Sequence, residues 1–357
     1  MTQPNRVVAW STGNLGVHVI AGVDARPDLE LVGLWVSNPD KVGKDAGDLA
    51  GLGRPLGVAA TNDAEALLAL EPDVIVHSAA SDSRPLEAID DLRRLLRAGV
   101  NVVSSGPVFL QYPYGVVDDS MITPIQDAAL AGGVSLFVNG VDPGFANDTL
   151  PLVLTGVSER IEKLHVSEML NYSTYNQPTV IFDAMGFGRP IDQVPMMLQP
   201  GVLAMAWGST VRQLAAGLDV ELDSITEWHD RRPALETFEI ASGTIEKGTT
   251  AALRFEIRGM RNGEPAIVVE HVTRLHDDLA PEWPQPAGHG SYRVQITGEP
   301  NYTLDLQLLG TNGDHNTAGL KATAMRLVNA ISAVVEGPPG LLTALDLPAI
   351  TGRGLFR

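Results

Sequence analysis

The sequence predicts an α/β protein in two parts: a doubly wound parallel sheet, then a second α+β domain with a mostly antiparallel sheet. Three observations lead there. Residues 1–145 alternate short apolar runs with helical patterns, in the manner of βαβ units. After Pro151 the pattern shifts to period-two alternation broken by hairpin signals. Near the start, in VVAWSTGNLGVHVIAGV (7–23), an apolar run stops at a small-residue turn that opens directly into a helical pattern.

In the first part, strands are expected at Val7–Trp10, Leu29–Val36, Val74–Ser78, Val102–Ser105 and Ser135–Asn139. Runs such as VIVHS and LFVNG are almost wholly apolar, as befits strands covered on both faces. Helices fall between them at Gly16–Ala25, Ala64–Leu70, Pro85–Ala98 and Met121–Ala131. Asp63 is the natural cap of one, and Asp82 or Ser83 of another. The second part is expected over 146–315. Its clearest signal is Arg254–Met260, the turn Arg261-Asn262-Gly263-Glu264, then Ala266–Leu275, because Asn-Gly supplies the positive φ angles of a tight hairpin. Tyr292–Thr297 and Tyr302–Leu308 flank Gly298-Glu299-Pro300 in the same way. A Met- and Gly-rich helical insert lies near 179–217; its Met185, Met196, Met197 and Met205 suit a core, a dimer surface or a pliable pocket wall. Asn316–Val335 returns to a helical pattern, ends at Gly337-Pro338-Pro339-Gly340, and with the remainder to 357 is expected to complete the first domain.

A strand, a glycine turn and a helix N-terminus together form a seat for a pyrophosphate, because unpaired amides and the helix dipole both face the anion. Ser11, Thr12, Gly13, Asn14, Leu15 and Gly16 make that turn. Gly13 lets the backbone approach the phosphates, and Gly16 lets the helix pack on the strand. Ser11 stands where the first glycine of G-x-G-x-x-G belongs, so a plain strand–helix turn is the competing reading. The whole pattern indicates a Rossmann-type dinucleotide-binding domain. The second strand ends at Ser37-Asn38 and not at the carboxylate that would bind an unphosphorylated ribose; Lys41 and Lys44 follow. Small polar groups and lysines accept a 2′-phosphate, which favours NADP(H), with NAD(H) as the alternative and solvated loop charges as the bland reading of the lysines. Ser78, Ala79, Ala80 and Ser104 end two further strands where open α/β sheets pass a cofactor.

Bulk properties narrow the partners. The 357 residues are 44% hydrophobic and 19% charged, a globular composition. A formal charge of −18 disfavours nucleic acid and anionic membranes. With no cysteine, disulfide and thiolate chemistry drop out, and the eight histidines show no metal-ligand spacing. No uninterrupted apolar run of membrane-spanning length and no leader-like N-terminus stand out, so a cytoplasmic location is expected.

WSTGNLG, IVHSAAS (75–81), GVNVVSS (99–105) with Tyr112-Pro113, NGVDPGFANDTLP (139–151) and VNAISAVVEGPPGL (328–341) carry a resemblance. The chain resembles proteins with a dihydrodipicolinate-reductase-like N-terminal domain, particularly the branch of 2,4-diaminopentanoate dehydrogenases and native amine dehydrogenases. Dihydrodipicolinate reductases themselves carry a His-His-x-x-Lys motif in the second domain; HVSEMLNYSTYNQP (165–178) has none. The resemblance implies a homodimer that interconverts a carbonyl compound plus ammonia with an amine, using NAD(P). It also implies a glutamate shortly before the Tyr-Pro pair, whereas this chain reads SGPVFLQYP over 105–113.

A substitute is therefore sought. Glu168 shares strand parity with Tyr172 and is either a relocated carboxylate or an exposed charge on a sheet face. His271, on AIVVEHVTRL, is either a satisfied core histidine or a pocket residue. Tyr172 and His271 are the proton donors expected near neutral pH if desolvation tunes them. Val108, Phe145 and Tyr175 are the expected pocket walls, and the absence of an arginine clamp points to a small, largely apolar substrate. The functional expectation is an NADP(H)-dependent, amine dehydrogenase-like oxidoreductase; a ketone or imine reductase and a non-catalytic dinucleotide sensor are the rivals.

Overall fold

The computed structural model describes residues 3–81 and 84–356. The chain forms two compact units: one runs to Val141 and resumes at Leu320, the other spans Asp142–Gly319. The junctions thus lie four residues from the expected ones, and Asp142 opens the second unit.

In the first unit the order is β1 (Asn5–Trp10), α1 (Gly16–Asp24), β2 (Leu29–Trp35), α2 (Ala46–Leu49), β3 (Ala60–Thr61), α3 (Ala64–Leu68), β4 (Val74–His77), α4 (Pro85–Arg97), β5 (Asn101–Ser104), α5 (Asp119–Gly132) and β6 (Ser135–Val138). They form a 7-stranded parallel sheet, whose last strand comes from the C-terminal segment. Strands β1 and β4–β6 are runs of buried apolar residues because both sheet faces are covered. One face packs Val7, Ala9 and Val76 against Val19, Ile20 and Val23 of α1; the other packs Val8, Ile75 and Val102 against Leu92, Leu96 and Ile125 of α4 and α5.

The strands expected to end at Val36, Ser78, Ser105 and Asn139 end one residue earlier, where the chain leaves the ladder for its turn. Asp63 caps α3 by accepting from the amides of Glu65 and Ala66. Asp82 and Ser83, the expected caps of α4, lie outside the described residues. Short α2 and β3 were not anticipated.

The second unit holds α6 (Thr149–Thr155), β7 (Arg160–Asn171), α7 (Val202–Ala206), α8 (Gly208–Gly217), β8 (Ser224–Pro233), β9 (Phe238–Ile240), β10 (Gly243–Ile245), β11 (Thr250–Arg261), β12 (Glu264–Arg274), β13 (Gly290–Glu299) and β14 (Tyr302–Leu306). A 6-stranded sheet has the order β14-β13-β7-β12-β11-β8. Only its β12–β7 pair is parallel, so the sheet is mostly antiparallel. The Asn262-Gly263 turn has φ of +53° and +80°, the conformation its sequence demanded. The expected helical insert is broken: a π-helical turn at Thr179–Ala184, a 3₁₀ turn at Met196–Leu198, then α7 and α8. Gly186 and Gly201, both at positive φ, and Pro195 interrupt it. Met185 and Met197 are buried in the core of this unit, while Met196 and Met205 are exposed.

The last helix, α9 (His315–Val335), leads to β15 (Gly340–Leu342), which pairs with β6. By length and composition α9 is apolar enough to cross a membrane, but Ala324, Leu327, Val328, Ile331 and Val334 are buried in the core of the first unit.

Candidate functional site

In the first unit the turn after β1 has the build of a phosphate seat. Ser11 adopts φ +128°, a conformation glycine holds at lower cost, so the position keeps glycine's backbone without glycine. Its hydroxyl accepts from the Gly13 amide at 3.1 Å. A Cβ at Gly16 would land on the Ser11 carbonyl and 3.2 Å from Ser78 Oγ, so only glycine lets α1 begin this close to β1 and β4. No side chain caps the start of α1. Those features fit a dinucleotide pyrophosphate at this end of the sheet.

Around that turn, Ser37 and Asn38 are exposed, and the Asn38 side chain accepts from the Asp40 amide. Lys41 reaches back so that its Nζ lies 2.9 Å from Thr12 Oγ1 and 3.3 Å from the Thr12 carbonyl. Lys44 is exposed. Ser78 is buried, Ala79 half-buried and Ala80 exposed. Ser104 is fully buried, and its hydroxyl donates to the Gly106 carbonyl at 2.6 Å and lies 3.2 Å from His77 Nδ1. It braces the turn after β5. Val108 sits in the 3₁₀ turn that follows, in a different unit from Phe145 and Tyr175.

The second unit carries the densest chemistry. The sheet register sets Tyr292 of β13 beside Glu168 of β7, Glu168 beside His271 of β12, and His271 beside Phe255 of β11. His271 Nδ1 lies 2.9 Å from Glu168 Oε2, and Nε2 lies 3.2 Å from Asp142 Oδ1. The three side chains are 6%, 7% and 2% exposed, in the order His271, Glu168, Asp142. Asp142 also accepts from Trp207 Nε1 at 2.9 Å and from Asn147 Nδ2 at 2.6 Å. Tyr172, just beyond the end of β7, and Tyr292, opposite Glu168 across the ladder, bring their phenols near its carboxylate. The imidazole stacks on Phe255 at 4.7 Å and meets Trp207 edge-on at 4.8 Å; Tyr175 packs against Tyr172 at 4.8 Å. Phe145 is half-buried ahead of α6.

Protonation follows from this packing. Burial is the strongest influence on Glu168 and raises its pKa; the Asp142 charge adds to it, and His271 offsets only part. Burial also pulls hardest on His271, downward, but the charges of Asp142 and Glu168 and the close contacts with both overcome it and push it up to about 10. Burial lifts Tyr172 and Tyr292 well above 10, and Tyr175 to about 12. These surroundings favour the protonated form of His271 and the neutral phenol of Tyr172, and they move Glu168 toward neutrality. The reading of Glu168 as an exposed charge is overturned, because the sheet register turns it into the row between Tyr292 and His271. By spacing alone Asp142, Glu168 and His271 could surround a cation, their ligand atoms lying within 4.8 Å of one another. His271 Nδ1 is instead turned to Glu168, and Asp142 is taken up by the indole and amide donors, while His271 Nε2 makes no well-formed hydrogen bond among the described residues.

Glu168, Tyr172 and His271, singled out in the sequence, thus meet in one cluster. Asp142, Trp207, Phe255 and Tyr292 were not singled out as site residues. Asp142 was legible only as the start of a domain junction, Trp207 as part of the helical insert, and Phe255 and Tyr292 as members of expected strands.

The family described as the C-terminal domain of 2,4-diaminopentanoate dehydrogenase matches residues 145–353, and that of the dihydrodipicolinate reductase N-terminus matches 6–105. An amine dehydrogenase of Streptomyces virginiae is 45% identical over 346 residues, covering 96% of this chain and 95% of that one. The chain belongs to the amine dehydrogenase and 2,4-diaminopentanoate dehydrogenase family. It is accordingly an oxidoreductase of the dehydrogenase class. A 2,4-diaminopentanoate dehydrogenase of Acetoanaerobium sticklandii is a more distant member, 26% identical over 77% of this chain and 76% of that one. The amine dehydrogenase of Mycobacterium smegmatis shares the fold, with a TM-score of 0.80 over 98% of this chain and 97% of that one at 23% identity.

Proposed function

We propose that this dehydrogenase is an NADP(H)-dependent amine dehydrogenase that interconverts a small, largely apolar carbonyl compound plus ammonia with the corresponding primary amine. The observation that carries the reading is the excess of carboxylates in the cluster. Two carboxylates, Asp142 and Glu168, flank a single imidazole, His271, among buried aromatic rings. Such a site complements an ammonium or iminium group and gives a neutral ketone no comparable advantage.

In the oxidative direction an ammonium substrate, R₂CH–NH₃⁺, loses one proton and one hydride and becomes R₂C=NH₂⁺; water then converts the iminium to the ketone and ammonium. The nicotinamide supplies the hydride acceptor. Glu168, raised toward neutrality, takes the proton. His271 stays protonated and steadies the Glu168 carboxylate until it takes the proton. Tyr172 and Tyr292 orient the carboxylate by donating to it. Phe255, Trp207, Tyr172 and Tyr175 give the site its apolar, aromatic surroundings. Glu168 thus fills the role of the glutamate missing from residues 105–113.

Lys41, drawn over the glycine turn, and the lack of a carboxylate at Ser37-Asn38 support NADP(H) over NAD(H). The zero cysteine count and the family resemblance support a cytoplasmic homodimer.

The test is NADP⁺ reduction with a panel of small primary amines and their matching secondary alcohols. Amines are expected to turn over and alcohols to remain at background. Turnover of alcohols alone would replace this reading with the ketone reductase.

A further inference from the structure

We propose that Asn147 is a positioning residue, whose side-chain amide holds the Asp142 carboxylate against His271. The inference rests on the amine-oxidation reading, in which an ammonium group needs both carboxylates of the cluster in place.

Asp142, Gly144 and Asn147 belong to one turn of the chain just ahead of α6. Gly144 has φ +146°, a conformation that residues with a side chain rarely adopt. The turn closes on the two polar groups of this glycine. Its carbonyl accepts from the Asn147 amide at 3.0 Å and from the Asp148 amide at 2.6 Å, and its N–H donates to Asn147 Oδ1 at 2.8 Å. With that oxygen committed to an N–H, the side-chain amide presents its nitrogen on the other side. There Nδ2 donates to Asp142 Oδ1 at 2.6 Å.

Asp142 Oδ1 is the crowded atom of the cluster. It also accepts from Trp207 Nε1 at 2.9 Å, and it lies 3.2 Å from His271 Nε2 without a well-formed hydrogen bond. The imidazole therefore does not anchor the carboxylate; the two neutral donors do. Neither an amide nor an indole titrates in the ordinary range, so their hold persists across pH. Asn147 is fully buried, which leaves little water to take its place. What they hold matters to His271. Burial pulls its pKa down, and the Asp142 charge is the strongest of the influences that push it back up. The other titratable groups that respond to this charge are Glu168 of β7, Tyr292 of β13 and Tyr172. Asp148, beside Asn147, accepts from Gln213 Nε2 of α8 at 3.2 Å. Asn147 thus acts on the reaction only through Asp142 and His271.

The test uses the full chain with Asn147→Leu and Asn147→Asp, both close to asparagine in size. Leucine removes the donor. Its kcat/KM for amine oxidation is expected to fall about 10- to 100-fold, the worth of a hydrogen bond to a charged group. In histidine-labelled protein followed by NMR, the His271 titration should also move below about 10. Aspartate keeps an oxygen for Gly144, but it donates to Asp142 only while one proton is shared between the two facing carboxylates. Like-charge repulsion holds that proton well above the ordinary carboxylate range. The ratio of variant to wild-type kcat/KM is thus expected near one at the acid end, falling about tenfold or more as pH rises through that titration. A packing role alone would lower the ratio equally at every pH. If Asn147→Leu does not fold, Asn147→Asp decides alone. Wild-type kcat/KM and His271 titration in a folded Asn147→Leu, or a ratio for Asn147→Asp that stays flat with pH, would overturn the role of Asn147. A wild-type protein that oxidises no amine would instead overturn the parent reading, and the NMR titration would still judge Asn147.

Discussion

Replacing Glu168 with glutamine removes the proton acceptor while keeping its volume. The amide can still accept from one phenol, but it cannot take a proton from an ammonium group. General acid–base groups are worth about 10²–10⁴ in rate, or about 3–5 kcal/mol of barrier, and kcat for amine oxidation is expected to fall within that range. His271 keeps Asp142 at 3.2 Å but loses the carboxylate at 2.9 Å, so its pKa drops from about 10. The cluster also loses one of its two carboxylates, which weakens ammonium binding and raises KM. Because burial raises the Glu168 pKa, wild-type amine oxidation should decline as pH falls through a value above the ordinary 4.5, and that acid limb should vanish in the variant. Dinucleotide affinity, set at the glycine turn, should be unchanged. Steady-state kinetics across pH, with calorimetry of dinucleotide binding, would measure all of this. A Glu168→Gln enzyme within about threefold of wild type across pH would refute the assignment, since a group that takes the proton is not dispensable.

Other expectations are more local. Lys41→Ala should lower the preference for NADP⁺ over NAD⁺ by about 10- to 100-fold in kcat/KM, the worth of one charge-assisted contact to a phosphate; an unchanged ratio would remove Lys41 from cofactor choice. Gly16→Ala places a methyl against the Ser11 carbonyl and should cost about 1–3 kcal/mol in urea unfolding and weaken dinucleotide binding. Glu270, 1% exposed, is pulled up by burial, but His165, Ser167 and Arg254 overcome that and bring it down to about 2. Its contribution of about 3 kcal/mol is fully present above pH 4.5 and lost as pH falls toward 2. Glu270→Gln should therefore lower unfolding stability at pH 7 and narrow the gap to wild type near pH 2.

Much of this architecture can be read from local chemistry. Continuous apolar runs marked β1, β4, β5 and β6 because a parallel sheet buried on both faces leaves little room for polar residues. Asn262-Gly263 marked the β11–β12 hairpin because its backbone needs φ above zero twice. The edge strands were harder. SITEWHDRRP of β8 is polar because one side of it faces solvent, and Gly340–Leu342 is too short to show a period. The broken insert misled because an apolar, Met-rich composition does not separate one helix from several short turns.

In the site, Glu168 and Tyr172 could be paired by parity along one stretch of chain. Tyr292 and Asp142 could not, since only the β13–β7 register and the return of α8 with Trp207 bring them to the cluster. Protonation was the least legible property. A histidine alone suggests a switch near neutral pH, whereas one held between two carboxylates is a permanent cation.

The most direct measurement is NADPH consumption with a small aliphatic ketone, recorded with and without ammonium at matched ionic strength. The account predicts consumption that depends on ammonium and yields the primary amine. Equal rates without ammonium, with an alcohol as the product, would contradict it.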